Sequence, residues 1–270
     1  GGLDVLKDYL LNKSRVIADL PKAIDFGVSI PKGVFIVGMP GCGKSLCAKA
    51  SAALFNTPLL KLDMGSMMGK YVGESEGNLR KAIKSAEAAA PCVLWIDEIE
   101  KAISGVDGNN DIMTRMFGYF LSWMQEKKSC VYVIATANKI KDLPLELKRK
   151  GRFDEIFCVN LPNKEERKKI FKIHIGKKNK SLDEAALNSV CQITEGFNGA
   201  DIESVVNEAM EKCFIDSLDN KGTAFDGKLF KDIASKTISI SESDKQQIEN
   251  MKKAFKENNF KDATTGDPTT

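Results

Sequence analysis

An α/β domain built on a mainly parallel sheet, followed by a small all-helical domain, is the fold class that the sequence predicts. Three observations carry it. Apolar runs short enough for single strands alternate with helical stretches over residues 33–160. The first of these runs ends in a glycine-rich turn that opens directly into a helix. After Leu161-Pro162-Asn163 the composition changes, and only helical patterns follow, at 163–176, 183–194, 199–218 and 243–257. The expected divisions are 1–161 for the α/β domain, 162–260 for the helical domain and 261–270 for a polar tail with nothing to bury.

In chain order, Leu3, Leu6, Leu10 and Leu11 mark an opening helix. Val34-Phe35-Ile36-Val37 is the first strand, and residues 38–45 fit G-x-x-x-x-G-K-[ST] in the strand–loop–helix setting that motif requires. Gly38, Gly41 and Gly43 let the backbone curl until successive N–H groups face one point, where a side chain would block an anion. The helix from Leu46 to Phe55 aims its positive end at the same point. With Pro40, Cys42 and Leu46 filling out the loop, Lys44 is placed for the β/γ-phosphates of a nucleotide and the Ser45 hydroxyl for Mg²⁺. Together these features read as a P-loop NTPase.

A second, buried strand is expected over Pro58-Leu59-Leu60-Lys61-Leu62-Asp63, then a Gly- and Met-rich loop over 65–73 and a helix that stops at Pro91. Cys92-Val93-Leu94-Trp95-Ile96 ends in Asp97-Glu98, an acidic pair where a parallel sheet exposes its chemistry. Asp97 suits the metal side, and Glu98 can polarise an attacking water. Residues 111–126 form a helix whose Met113, Met116, Phe117, Phe120 and Met124 read as core. A fourth buried strand runs from Val131 to Asn138 and ends in that polar residue, whose amide can orient the water or sense the γ-phosphate. Glu155 to Val159 makes the fifth. Ser241 and Asp244 suggest a capping box for the last helix.

Composition sets limits. Forty Lys+Arg against 37 Asp+Glu leave a net charge of +3, which does not announce nucleic acid or an anionic membrane. No apolar run reaches the length of a membrane span, and residues 1–4 do not read as a signal peptide. Seven cysteines without a C-x-x-C pair suit reduced thiols and a cytoplasmic setting. His174 is the single histidine, which excludes an H-E-x-x-H zinc site. The basic stretch 167–180 reads as the solvated face of a helix.

The ordered set of motifs resembles the AAA branch of the AAA+ ATPases over nearly the whole chain, and within it poorly characterised single-module ATPases of bacteria and plastids. Gly1-Gly2 is similar to the family's nucleotide-flanking segment. Gly69-Lys70-Tyr71-Val72-Gly73-Glu74 resembles its central-pore loop, so Lys70, Tyr71 and Val72 are expected to touch a polypeptide substrate. Asn138 falls on the sensor position, and 147–154 resembles the segment with the arginine fingers, here Arg149 and Arg152. Gly196-Phe197-Asn198-Gly199-Ala200-Asp201 looks like the lid motif, with Gly199 and Ala200 beside the nucleotide, and His174 falls where the family has a histidine near adenosine. The sequence departs from the pattern at Cys42, where threonine is usual, and at Lys148 and Lys150, where apolar and proline residues are usual.

The resemblance implies ATP and Mg²⁺ as ligands, and a homo-oligomeric ring, a hexamer, in which the arginines enter a neighbour's site. An arginine given to phosphoryl transfer is worth roughly 10³–10⁵ in rate, or about 4–7 kcal/mol of barrier. The implied function is ATP-driven remodelling or unfolding of protein substrates, with substrate and adaptor unspecified. Two rivals stay open at this point: an ATP-dependent assembly switch that binds a partner without threading it, and a nucleic-acid motor, which the charge balance disfavours. Arg149 and Arg152 also have a plain alternative, pairing with Asp154 or Glu155.

Overall fold

The computed structural model describes residues 1–264 except 65–66, 68–73, 101–109, 140–144, 150, 221 and 259, and excluding the side chains of 110–114, 145 and 148. The expected pore-loop residues Lys70, Tyr71 and Val72 lie outside the described residues. The chain forms two compact units: one of residues 4–38, 44–159 and 254–270, the other of 1–3, 39–43 and 160–253.

The first unit is the α/β unit. Its strands are β1 (Gly33–Gly38), β2 (Leu59–Leu62), β3 (Cys92–Ile96), β4 (Val131–Ala137), β5 (Glu155–Val159) and β6 (Lys261–Asp262). They form one sheet in the order β2-β3-β4-β1-β5-β6, every pair parallel. Every residue of β1, β3 and β4 is buried, which is why these strands read as unbroken apolar runs. Parallel register brings their C-terminal ends to one edge: Val37 lies beside Ala137 and Cys158, and Ile96 beside Ala135.

The helices of this unit are α1 (Asp4–Ala18), α2 (Leu20–Asp25), α3 (Lys44–Phe55), α4 (Glu74–Ala88), α5 (Asn110–Glu126) and the short α6 (Leu145–Lys148). Helix α3 buries Ala48, Ala52 and Phe55 on the sheet, with Phe55 edge-on to Tyr132 at 5.1 Å. Helix α5 buries Met116, Phe120 and Met124 completely, as its apolar stripe predicts. Helix α1 sets Tyr9 edge-on to Phe157 at 5.2 Å, and Leu6 N donates to Ala263 O.

The second unit is helical: α7 (Lys164–Gly176), α8 (Glu184–Ile193), α9 (Gly199–Leu218), α10 (Gly227–Lys236), α11 (Ile240–Ser243) and the start of α12 (Lys245–Asn258). Phe171, Leu187, Ile202, Val206 and Phe230 make its core. Burying a side chain of this size contributes about 1.5–3 kcal/mol.

Four expectations change. Residues 261–264 are not tail: Lys261 and Asp262 pair with β5, Ala263 N donates to Cys158 O, and Ala263 is fully buried. The chain's return to the sheet also puts residues 254–260 with the α/β unit rather than with the helical one. Ser241 and Asp244 make no capping box, because Asp244 closes α11 and the Ser241 hydroxyl pairs with Ser239. Arg167 is not on a solvated face: it is 6% exposed and donates to Pro162 O and Cys191 O, tying α7 to α8. Helix α10, unforeseen in the sequence, starts at Asp226, whose carboxylate accepts from Lys228 N and Leu229 N.

Candidate nucleotide site

The phosphate-binding loop leaves β1 at Gly38 with the left-handed backbone its motif predicts, φ being 74° at Gly41 and 86° at Gly43. A Cβ on Gly41 would stand 2.3 Å from Asn198 Nδ2, so conformation and space both demand glycine there. Lys44 is 7% exposed, and its ammonium donates to Gly38 O at 2.8 Å, within the loop. Cys42 is half-buried, and Leu46 is 66% exposed on the first turn of α3.

At Ser45, the ends of β3 and β4 bring the predicted carboxylates and amide together. Ser45 Oγ donates to Asp97 Oδ1 at 3.0 Å. Glu98 Oε1 accepts from Asn138 Nδ2 at 2.8 Å, and Asn138 N donates to Glu100 Oε1 at 2.8 Å. Glu100 is 5% exposed, and burial raises its pKa above the usual carboxylate value. Glu98 has φ +49°, a left-handed backbone that costs a non-glycine residue roughly 1–2 kcal/mol. Strain of this kind collects where a fold must aim a side chain.

Two residues not singled out as site residues make further contacts, one in each unit. Thr136, one of the seven residues of β4, donates to Asp97 Oδ1 at 2.6 Å and accepts from Glu98 N at 3.0 Å. Its signal in the sequence is the one aliphatic hydroxyl in an otherwise apolar and aromatic strand, two residues before Asn138. Asn198 caps α9 in a box with Asp201 and also donates its Nδ2 to Pro40 O at 3.0 Å, while Gly199 N donates to Gly41 O at 3.0 Å. An N-x-x-D pattern before a helical run could have pointed to it.

The remaining predicted residues divide. Ala200 is exposed on the first turn of α9. His174, on α7, faces Glu203 at 3.5 Å, and burial lowers its pKa, which favours the neutral imidazole at pH 7. Gly1 and Gly2 lie along α7, and Leu3 N donates to Glu166 Oε1 at 3.0 Å. Arg149 and Arg152 stand apart from the carboxylates. Residues 151–154 lie at the N-terminal edge of the sheet, where Asp154 N donates to Gly33 O at 2.8 Å and Lys32 Nζ to Gly151 O. The Arg152 guanidinium donates to Glu146 O, and Arg149 is exposed. Asp154 is no partner for them: its Oδ2 accepts from Lys32 N and Gly33 N and faces Lys13 at 3.5 Å.

The donor set suits the ligands that the motif implies. Ser45 and Asp97 offer hard oxygens to a small divalent cation, and the Gly41–Gly43 backbone with Lys44 suits a polyphosphate.

Comparison with known proteins settles the family. Residues 34–161 match the ATPase family associated with various cellular activities (AAA), and residues 184–224 match the AAA+ lid domain. The chain belongs to the AAA family of ATPases. This AAA module is 43% identical over 254 residues to the uncharacterized AAA domain-containing protein ycf46 of Pyropia yezoensis, covering 93% of the module and 50% of that protein. The ycf46 protein of Guillardia theta is 48% identical over 217 residues, 79% of the module and 42% of the relative. The ATP-dependent zinc metalloprotease FtsH of Cyanidium caldarium is 35% identical over 214 residues, 77% of the module and 35% of the relative. The chain thus spans half the length, or less, of these relatives. A crystal structure of the FIGL-1 AAA domain superposes with a TM-score of 0.76, covering 95% of the module and 87% of that domain at 24% identity, a likeness in fold alone. Among the described residues no helix is long and apolar enough to cross a membrane.

Proposed function

We propose that this AAA module hydrolyses ATP in a ring of identical chains, a hexamer, and uses turnover to remodel or unfold protein substrates. The observation that carries the ring is the separation of Arg152 from the catalytic carboxylates within one α/β unit. Arg152 belongs to the edge where β1 begins, and Ser45, Asp97, Glu98 and Asn138 to the edge where it ends. The length of β1 between them, Gly33 to Gly38, is roughly 16 Å at about 3.3 Å per residue, more than an arginine side chain spans. An arginine at the first edge, if it serves phosphoryl transfer, would have to do so in another copy's site, which supports the ring.

In this reading the loop backbone and Lys44 bind the ATP phosphates, and Ser45 and Asp97 hold Mg²⁺. Mg²⁺, when bound, offsets charge on the phosphate oxygens. Glu98 accepts a proton from water, whose oxygen attacks the γ-phosphorus as the bond to ADP breaks. Asn138 orients Glu98, and Arg149 and Arg152 of a neighbouring chain stabilise the transferring group. Lys70, Tyr71 and Val72 are proposed to contact the polypeptide. The relatives named as FtsH proteases support protein as the substrate class, and the seven cysteines without a C-x-x-C pair suit a cytoplasmic setting.

Stimulation tests the reading. Unfolded polypeptide should raise ATP turnover by the wild-type chain. Turnover indifferent to polypeptide, with complex formation that follows nucleotide alone, would point to an assembly switch instead.

A further inference from the structure

Thr136 is a fully buried hydroxyl in a strand otherwise made of Val, Tyr, Ile and Ala. Its Oγ1 lies 2.6 Å from Asp97 Oδ1 and 3.0 Å from Glu98 N. A hydroxyl has one proton to give and lone pairs to receive, so it donates to the Asp97 carboxylate and accepts from the Glu98 backbone. Asp97 Oδ1 also accepts from Ser45 Oγ at 3.0 Å. One side chain thereby joins the carboxylate of Asp97 to the backbone of the next residue, at the point where that backbone turns left-handed.

We propose that Thr136 is a positioning residue: it holds the Asp97 carboxylate toward Ser45 and fixes the strained Glu98 backbone, so that the Glu98 carboxylate meets Asn138. The proposal rests on the nucleotide-site reading above. Without the hydroxyl, Asp97 loses one of its hydroxyl donors and Glu98 N–H its acceptor. The backbone at Glu98 can then relax toward an ordinary φ, which swings its carboxylate away from Asn138. A threonine that only satisfies local hydrogen bonds would add stability and leave metal dependence alone.

Thr136→Val keeps the shape and removes the hydroxyl. With the full 270-residue chain, kcat should fall about 10- to 100-fold. The Mg²⁺ concentration that half-maximally tightens binding of a fluorescent ATP analogue should rise by a similar factor, while affinity for the analogue in EDTA stays at the wild-type value. Thr136→Ser, which restores the hydroxyl, should restore both. If the valine variant does not fold by circular dichroism, Thr136→Ala, in keeping with its neighbours Ala135 and Ala137, takes its place. Wild-type kcat and Mg²⁺ dependence in the valine or alanine variant would overturn the proposal. So would equal impairment of a folded serine variant, because packing of the methyl would then be the cause. Lys44→Ala in the same series separates the two readings. If it still binds the analogue, the nucleotide-site reading fails and the proposal with it. If it loses binding while Thr136→Val behaves as wild type, the proposal alone fails.

Discussion

Asn138 donates its side-chain amide to Glu98 Oε1 and its backbone N–H to Glu100 Oε1, both at 2.8 Å. Glu100 is buried beneath the site and anchors the end of β4, while the amide holds Glu98 in place. Asn138→Ala should therefore lower turnover about 10²-fold, within the range for a group that orients or stabilises in the transition state, with ATP affinity kept. Steady-state rates beside equilibrium titration of an ATP analogue check it; equal loss of both would mean that Asn138 supports the loop rather than Glu98.

The cap of α9 predicts a separable pair of effects. Asn198 holds Asp201 N through Oδ1 and Pro40 O through Nδ2. Asn198→Ala should cost about 1 kcal/mol for the lost cap and lower Tm by roughly 2–4 °C, with weaker ATP binding. Asn198→Asp keeps an acceptor for the cap and loses the donor to Pro40. It should recover Tm in calorimetry without recovering ATP affinity.

Lys127 gives a dependence on pH. The residue is 8% exposed, its ammonium donates to Val131 O at 2.6 Å and Pro31 O at 3.3 Å, and burial lowers its pKa to about 8. The unfolded chain holds this proton up to about pH 10.4, so between these values the unfolded state binds more protons and folding gains with rising pH. The burial cost is complete below pH 8 and relieved toward pH 10. In urea unfolding, the stability of wild type relative to Lys127→Met should rise by up to roughly 3 kcal/mol from pH 7 to pH 10. A difference independent of pH would show that Lys127 is solvated.

The sheet was readable because its central strands are buried on both faces and so appear as apolar runs, β1 ending in the glycine-rich turn and β3 and β4 where a polar residue meets the edge of the sheet. Ser45, Asp97, Glu98 and Asn138 were found because each follows such a run or the motif itself. What escaped notice depends on contacts that leave no pattern. Strand β6 joins through backbone bonds at a Lys and an Asp, so no apolar period marks it. Helix α10 carries its core contacts at Leu229, Phe230, Ile233 and Ala234 among lysines, in only ten residues. Thr136 looks like any β-branched residue in a buried strand, and only the neighbouring strand shows what its hydroxyl touches.

Mixing two inactive chains tests the central claim, that Arg152 acts on a neighbour's nucleotide. Arg152→Ala keeps its own Glu98, and Glu98→Gln keeps its own Arg152; alone, each should bind ATP and turn it over slowly. If the arginine works between chains, random mixing in equal amounts restores complete sites at roughly a quarter of the interfaces of a cyclic ring, and turnover should rise well above that of either variant. Turnover of the mixture equal to the mean of the two separate variants would contradict the account.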